Sequence, residues 1–67
     1  MNLMAKIGTR YEVSLNDITG VQFGLSLDSV RYVTLTFKQR PPMIFDSLTH
    51  ATEAEIIQAA RACGLKI

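Results

Sequence analysis

The chain has 67 residues, of which 48% are hydrophobic and 19% are charged, and its formal net charge at pH 7 is +1. This length predicts one domain over residues 1–67, and the hydrophobic content argues against disorder. The small net charge gives no strong indication of binding to nucleic acid or to a membrane surface. A lone cysteine, Cys63, excludes an intramolecular disulfide.

The sequence carries no recognisable targeting or membrane segment. No apolar run approaches the roughly 20 residues that a helix needs to cross a bilayer. The start of the chain, Met1–Lys6, lacks the apolar stretch of a signal peptide. We therefore expect a cytoplasmic protein without membrane contact. Because Met4-Ala5-Lys6 resembles a normal translation start, the first three residues are interpreted as an extension without a structural role, and residues 1–4 are expected to be disordered or an extension.

Two strands are predicted in the first half of the chain. From Ala5 to Leu15, apolar and polar residues alternate, which indicates a strand with one buried face. Asn16-Asp17 then favours a turn. A second alternating run covers Val21–Leu27, and Gly24 on its polar side indicates a bulge or a close backbone approach.

Two further strands follow after short turns. The run Val30–Gln39 has the highest density of β-branched and aromatic residues in the chain. Arg40-Pro41-Pro42 ends it, because proline cannot donate to a strand ladder. Met43–Phe45 is then predicted as a short edge strand. Alternating runs joined by short turns are typical of an antiparallel meander.

The helix has the clearest boundaries of any predicted element. Thr52-Glu53-Ala54-Glu55 is a capping box, and Gly64 with Leu65 is typical of a Schellman ending. These signals predict a helix over Glu53–Cys63. Its predicted buried stripe consists mostly of small side chains, namely Ile56, Ala59, Ala60 and Cys63, with Ile57 beside them. The predicted class is α+β, a three- to four-stranded antiparallel meander sheet with one C-terminal α-helix packed on one face (ββββα).

The residues that could carry chemistry have ordinary structural interpretations. His50 is the only histidine, and no second catalytic residue is placed beside it by spacing. Cys63 falls at a helix C-terminus, where the helix dipole opposes a thiolate. Glu53 and Glu55 are explained by capping. We therefore predict no catalytic residue, no metal site, no cofactor and no small-molecule ligand, and we expect that the protein is not an enzyme.

The predicted apolar face of the sheet and its edge strand favour a protein partner. A helix of about 11 residues spans only about 16 Å, so it is not expected to cover the apolar face of the sheet alone. The uncovered remainder predicts a homodimer or another protein partner, and an exposed edge strand can pair with another chain. The candidate contact residues are Arg40, Pro41, Pro42, Met43, Phe45 and Ile57.

These points predict a non-enzymatic protein–protein interaction module, a small regulatory or inhibitory accessory protein acting as a homodimer. Such proteins are common among phage and mobile-element genes, so that origin is an expectation. The alternative is nucleic-acid binding through a basic polar sheet face with one aromatic residue, which is also consistent with an ordinary solvated face. The residues of that face are Lys6, Arg10, Arg31, Tyr32 and Lys38.

Overall fold

The computed structural model describes residues 4–67, which form five strands and one helix. The elements are β1 (Met4–Ile7), β2 (Tyr11–Ser14), a short 3₁₀ turn (Leu15–Asp17), β3 (Ile18–Leu25), β4 (Arg31–Phe37), β5 (Met43–Asp46) and α1 (Glu53–Ala62). β1 and β2 form an antiparallel hairpin, and β3, β4 and β5 form a three-stranded antiparallel sheet in that order. The predicted α+β class with a C-terminal helix is confirmed.

The first predicted strand is wrong in one respect, since it is two strands joined by a tight turn. Gly8 has a φ of 67°, a conformation that glycine adopts readily, and the chain reverses there. Ile7 lies directly opposite Tyr11, with Val13 opposite Ala5. The turn consists of three residues, 8–10, so the apolar side chains occupy odd-numbered positions in both β1 and β2. Alternation alone therefore cannot distinguish this hairpin from a single long strand.

The start of the chain also differs in part from expectation. Met1–Leu3 lie outside the described residues. Met4 belongs to β1 and pairs with Ser14, so the interpretation of residues 1–4 as an unstructured extension is wrong for Met4.

The core lies between the inner face of the three-stranded sheet, the hairpin and the helix. Val33 and Leu35 of β4 and Phe45 of β5 are at most 1% exposed. The other buried residues come from the hairpin, the end of β4 and the helix, and they are Ala5, Ile7, Val13, Phe37, Ile56, Ala59 and Ala60. The hairpin and the helix together therefore cover the inner face of the sheet, which the helix alone was not expected to cover.

The helix begins and ends close to the predicted residues. The Thr52 hydroxyl accepts from the Glu55 backbone N–H at 3.2 Å, and Glu55 Oε1 accepts from the Thr52 backbone N–H at 2.9 Å. This reciprocal pair confirms the capping box. At the other end, the Leu65 N–H donates to the Ala60 carbonyl at 3.1 Å and the Gly64 N–H to the Arg61 carbonyl at 3.1 Å. These two bonds confirm the Schellman ending.

Candidate functional site

The outer face of the three-stranded sheet, which points away from the core, forms an open groove. Tyr32 of β4 lies directly across from Gly24 of β3. A Cβ atom added at Gly24 would lie 2.6 Å from the Tyr32 hydroxyl oxygen, so the phenol ring lies flat on the glycine backbone. Of the two alternatives predicted at Gly24, the bulge is not there, since the register shifts between Ile18 and Gly20 instead. A close approach is present, but it is made by the Tyr32 side chain and not by a backbone, and it gives the groove a flat aromatic floor.

The walls of this outer-face groove combine apolar side chains, uncharged polar side chains and one acidic residue. It has a volume of about 620 Å³. Ile44 of β5 is 61% exposed and Leu48 is 76% exposed, although both are large aliphatic residues. The groove is lined by Gln22, Ser26, Val30, Tyr32, Thr34, Ile44, Asp46, Leu48 and Thr49.

The acidic residue of the groove, Asp46, is committed to the turn that follows β5. Its Oδ1 accepts from the Thr49 backbone N–H at 2.7 Å, from the Leu48 backbone N–H at 2.9 Å and from the Thr49 hydroxyl at 2.9 Å. Hydrogen bonds from the Thr49 backbone, the Thr49 hydroxyl and the Leu48 backbone lower the pKa of the Asp46 carboxyl. The carboxylate therefore orders the segment that presents Leu48 to the groove.

The β5 edge of the sheet is largely closed. The Ser47 N–H donates to the Arg31 carbonyl at 2.8 Å, so the odd-numbered residues of β5 form the hydrogen-bonded pairs with β4. The N–H and C=O groups of Ile44 and Asp46 therefore point away from β4. At Asp46 both outward groups are satisfied by one residue. The Asp46 N–H donates to His50 Nδ1 at 3.2 Å, and the Asp46 carbonyl accepts from the His50 N–H at 3.3 Å.

Two neighbouring features complete this closure. The His50 ring packs edge-on against Tyr11 and Phe45, with centroid distances of 5.6 and 5.5 Å, and is held in place by them. Pro42, just before β5, has no backbone N–H to offer. Within residues 4–67, Ile44 alone in β5 keeps outward backbone groups that no other element meets.

The β3 edge, on the opposite side of the sheet, is open. The Ser26 N–H donates to the Val30 carbonyl at 3.0 Å, which directs the backbone groups of Val21, Phe23 and Leu25 away from β4. No other described element hydrogen-bonds to these groups. The strand, Ile18–Leu25, contains neither a charged residue nor a proline, two devices that commonly protect an edge. A third device, an irregularity in the register, is present between Ile18 and Gly20, so the regular open stretch runs from Gly20 to Leu25.

The side chains at the β3 edge are incompletely covered as well. On the inner face, Val33 and Leu35 of β4 are fully buried. Val21 and Phe23 of β3 are only half-buried, and Leu25 is 51% exposed. Part of the apolar surface that the composition predicts to remain uncovered therefore lies along β3, in addition to Ile44 and Leu48 on the outer face.

The predicted contact residues have varied surroundings. Phe45 is 1% exposed, so its assignment to a surface contact is wrong; it belongs to the core because β5 turns that side chain inward. Met43 is half-buried against the same core, and Ile57 is half-buried on the helix. Pro41 and Pro42 are exposed. The guanidinium of exposed Arg40 stacks over the Phe37 ring at 4.3 Å from its centroid.

The structure does not bring the five candidate nucleic-acid residues onto one face. Lys6 and Arg10 belong to the hairpin, where Lys6 Nζ lies 3.9 Å from Glu12 Oε1. Tyr32 is on the outer face of the other sheet, and Lys38, six residues later, is displaced by roughly 20 Å along the strand direction.

Arg31 points to the opposite side from Tyr32, since successive strand residues alternate faces. Its guanidinium lies 5.2 Å from the Phe23 ring centroid, and its Nε is 3.8 Å from Glu53 Oε1. Arg31 therefore belongs to the inner side, at the β3–β4 end of the core.

The remaining candidates for chemistry all have structural roles. Partial burial raises the pKa of the Cys63 thiol, which makes the reactive thiolate scarcer. Glu55 caps the helix, and its hydrogen bonds from the Thr52 backbone and hydroxyl lower the pKa of its carboxyl. Among residues 4–67, no group of three or more His, Cys, Asp or Glu side chains could hold a metal ion. Nor does this part of the chain contain a helix that could span a membrane.

Ile44, Leu48 and the β3 edge are candidate functional features that were not predicted from the sequence. Ile44 lies between Met43 and Phe45, so the alternation of β5 alone places it on the opposite face from both. For β3, the available signal was an eight-residue strand without charge or proline. The order of the strands in the sheet, which makes β3 an edge, is not visible in that pattern.

Comparison with known proteins identifies no relative of this chain. No protein-family model matches it, and neither the curated proteins nor the solved structures contain a match.

Proposed function

We propose that this chain is a non-enzymatic protein-interaction module that binds an extended apolar segment of a partner protein in the outer-face groove. The observation that carries the proposal is the exposure of Ile44 and Leu48, two large aliphatic side chains that flank a flat tyrosine floor. Exposed aliphatic residues around a concave surface are typical of interaction sites. The groove acid, Asp46, already accepts hydrogen bonds from the turn, so an uncharged segment suits the groove best.

The structural roles of the reactive side chains support a non-enzymatic activity. His50 Nδ1 accepts a backbone hydrogen bond, Glu55 caps the helix and Cys63 has a raised pKa. With these groups engaged in hydrogen bonds or made less reactive, we propose that the domain acts by occupying a surface of its partner. This is consistent with a regulatory or inhibitory accessory protein in the cytoplasm.

The test is affinity capture with matched variants. The immobilised domain is exposed to a lysate of the source cells, and bound proteins are identified by mass spectrometry. Leu48→Asp places a charge in the groove, whereas Leu27→Asp makes the same change at a fully exposed leucine that does not line it. We expect a protein that is retained by the wild type and by Leu27→Asp but lost by Leu48→Asp. Equal retention by both variants would contradict the groove proposal.

Nucleic-acid binding is tested in the same preparation. A labelled single-stranded oligonucleotide is titrated at low salt, where phosphate contacts are strongest. We expect no saturable binding, because the cations are divided between two sheets. Salt-sensitive binding that is lost in a Lys6→Ala, Arg10→Ala double variant would favour the nucleic-acid alternative instead.

A further inference from the structure

The open β3 edge has a geometry that complements itself. Val21, Phe23 and Leu25 direct their N–H and C=O groups outward at alternate positions. Two copies of such an edge can meet in antiparallel fashion about a twofold axis through Phe23. In this register Val21 faces Leu25 of the second copy, and Phe23 faces Phe23 of the second copy. Each of these pairs then exchanges two backbone hydrogen bonds.

We infer that a second copy of this chain pairs with the β3 edge and joins the two three-stranded sheets into one continuous antiparallel sheet. The inference rests on the proposed function, in that it assigns a protein partner to this domain. A second copy fits the edge because β3 contains no charged residue that self-pairing would bring against its own copy. It also accounts for the half-buried Val21 and Phe23 and for exposed Leu25, which the second copy covers.

The β5 edge is a poor competitor for this pairing. His50 occupies the outward groups of Asp46, and Pro42 has no N–H, so only Ile44 offers a donor and an acceptor there. A ladder between two chains needs outward-pointing N–H and C=O groups at several alternate residues of a strand. β3 has them at Val21, Phe23 and Leu25, whereas β5 has a free donor and acceptor only at Ile44. We therefore expect a second copy to pair with the β3 edge and not with the β5 edge.

The pairing also has a consequence for the groove. A twofold axis perpendicular to the sheet keeps the outer faces of both copies on the same side. The two grooves, each with Tyr32 as its floor, would lie on one continuous surface, and the helices would lie on the opposite surface. The dimer would therefore present two binding grooves side by side to one partner.

The experiment measures mass by sedimentation equilibrium for the wild type and for two variants with the same kind of change. Leu25→Lys places a lysine at the β3 edge, where the native side chain is 51% exposed, and Ile44→Lys does so on β5, where it is 61% exposed. We expect a wild-type dimer whose dissociation constant rises by about tenfold or more in Leu25→Lys, because apolar cross-strand contacts are lost at two symmetric positions. Ile44→Lys should leave the dissociation constant unchanged.

Amide hydrogen exchange of the wild type tests the register without any substitution. The N–H groups of Val21, Phe23 and Leu25 should become protected as the protein concentration rises. The N–H groups of Gln22 and Gly24 bond to β4 in the monomer, so they should be protected at all concentrations.

The outcomes separate this inference from the proposed function. A monomer at the highest soluble concentration overturns the inference, and so does a dimer that Ile44→Lys disrupts and Leu25→Lys does not. Either result leaves groove-dependent capture intact as a separate measurement. A dimer with protected β3 amides but no groove-dependent capture supports the pairing and overturns the groove proposal.

Discussion

The two edges of the three-stranded sheet differ in how they end. The β5 edge is short, is preceded by proline, and has its outward groups at Asp46 occupied by His50. The β3 edge is eight residues long, uncharged and open. Since an unprotected edge invites pairing with another chain, natural proteins usually protect both edges. A sheet protected on one side only indicates where this domain can meet a second polypeptide.

The largest expected effect contrasts two phenylalanines that point to the same face from the two edges. Phe45 of β5 is 1% exposed, whereas Phe23 of β3 is half-buried. We expect Phe45→Ala to lower the free energy of unfolding by about 3–5 kcal/mol, because it leaves a cavity in a closed core. Phe23→Ala should cost less than half as much when measured at low protein concentration. Urea denaturation followed by circular dichroism measures both values.

One result would contradict the expected difference between Phe45→Ala and Phe23→Ala. Equal losses in the two variants at low concentration would mean that the β3 edge is as well covered within the monomer as β5. A loss for Phe23→Ala that grows with protein concentration would instead locate Phe23 in an interface between copies.

An intermediate effect is expected from removing the closure of the β5 edge. In His50→Ala, the Asp46 N–H loses its acceptor, and Tyr11 and Phe45 lose a ring neighbour. The loss of a hydrogen bond of this kind costs about 0.5–1.5 kcal/mol. Residue-resolved hydrogen exchange should show faster exchange of the Asp46 amide, with the Val33 and Phe45 amides little changed. Unchanged Asp46 exchange would show that the imidazole does not protect this edge.

The smallest effect concerns acid pH. Asp46 and Glu55 have lowered pKa values in the folded protein, so the unfolded chain binds protons more tightly. Their contribution to stability is complete well above their ordinary pKa values of 3.8 and 4.5, and it is lost as pH falls through the lower folded values. Urea midpoints should therefore fall on acidification, and Asp46→Asn should flatten that fall.

The matched control for the acid experiment is Asp28→Asn, which changes an exposed acid in the turn beside β3. It should leave the pH dependence of the urea midpoint close to that of the wild type. A flattening by Asp28→Asn as large as that by Asp46→Asn would contradict a specific role for the Asp46 turn.

Several features of the fold were predictable because their causes are local. The capping box at Thr52 and the ending at Gly64 involve neighbours in sequence, and both are present as predicted. A bulge or a close backbone approach was predicted at Gly24 from one missing side chain, and the structure has the Tyr32 side chain lying against it. The reversal at Gly8 was missed because the alternation of apolar residues continues through the turn.

The sequence by itself determined the α+β class, the helix with both of its ends and the inward face of β1 to β4, because capping hydrogen bonds and period-two burial depend on residues close together in the chain. Only the tertiary structure decided which strands are edges, because strand order depends on contacts between distant segments. It placed the hairpin over the face that the helix alone leaves open. It also set His50 against β5 and left β3, with Val21, Phe23 and Leu25, as the edge available to another chain.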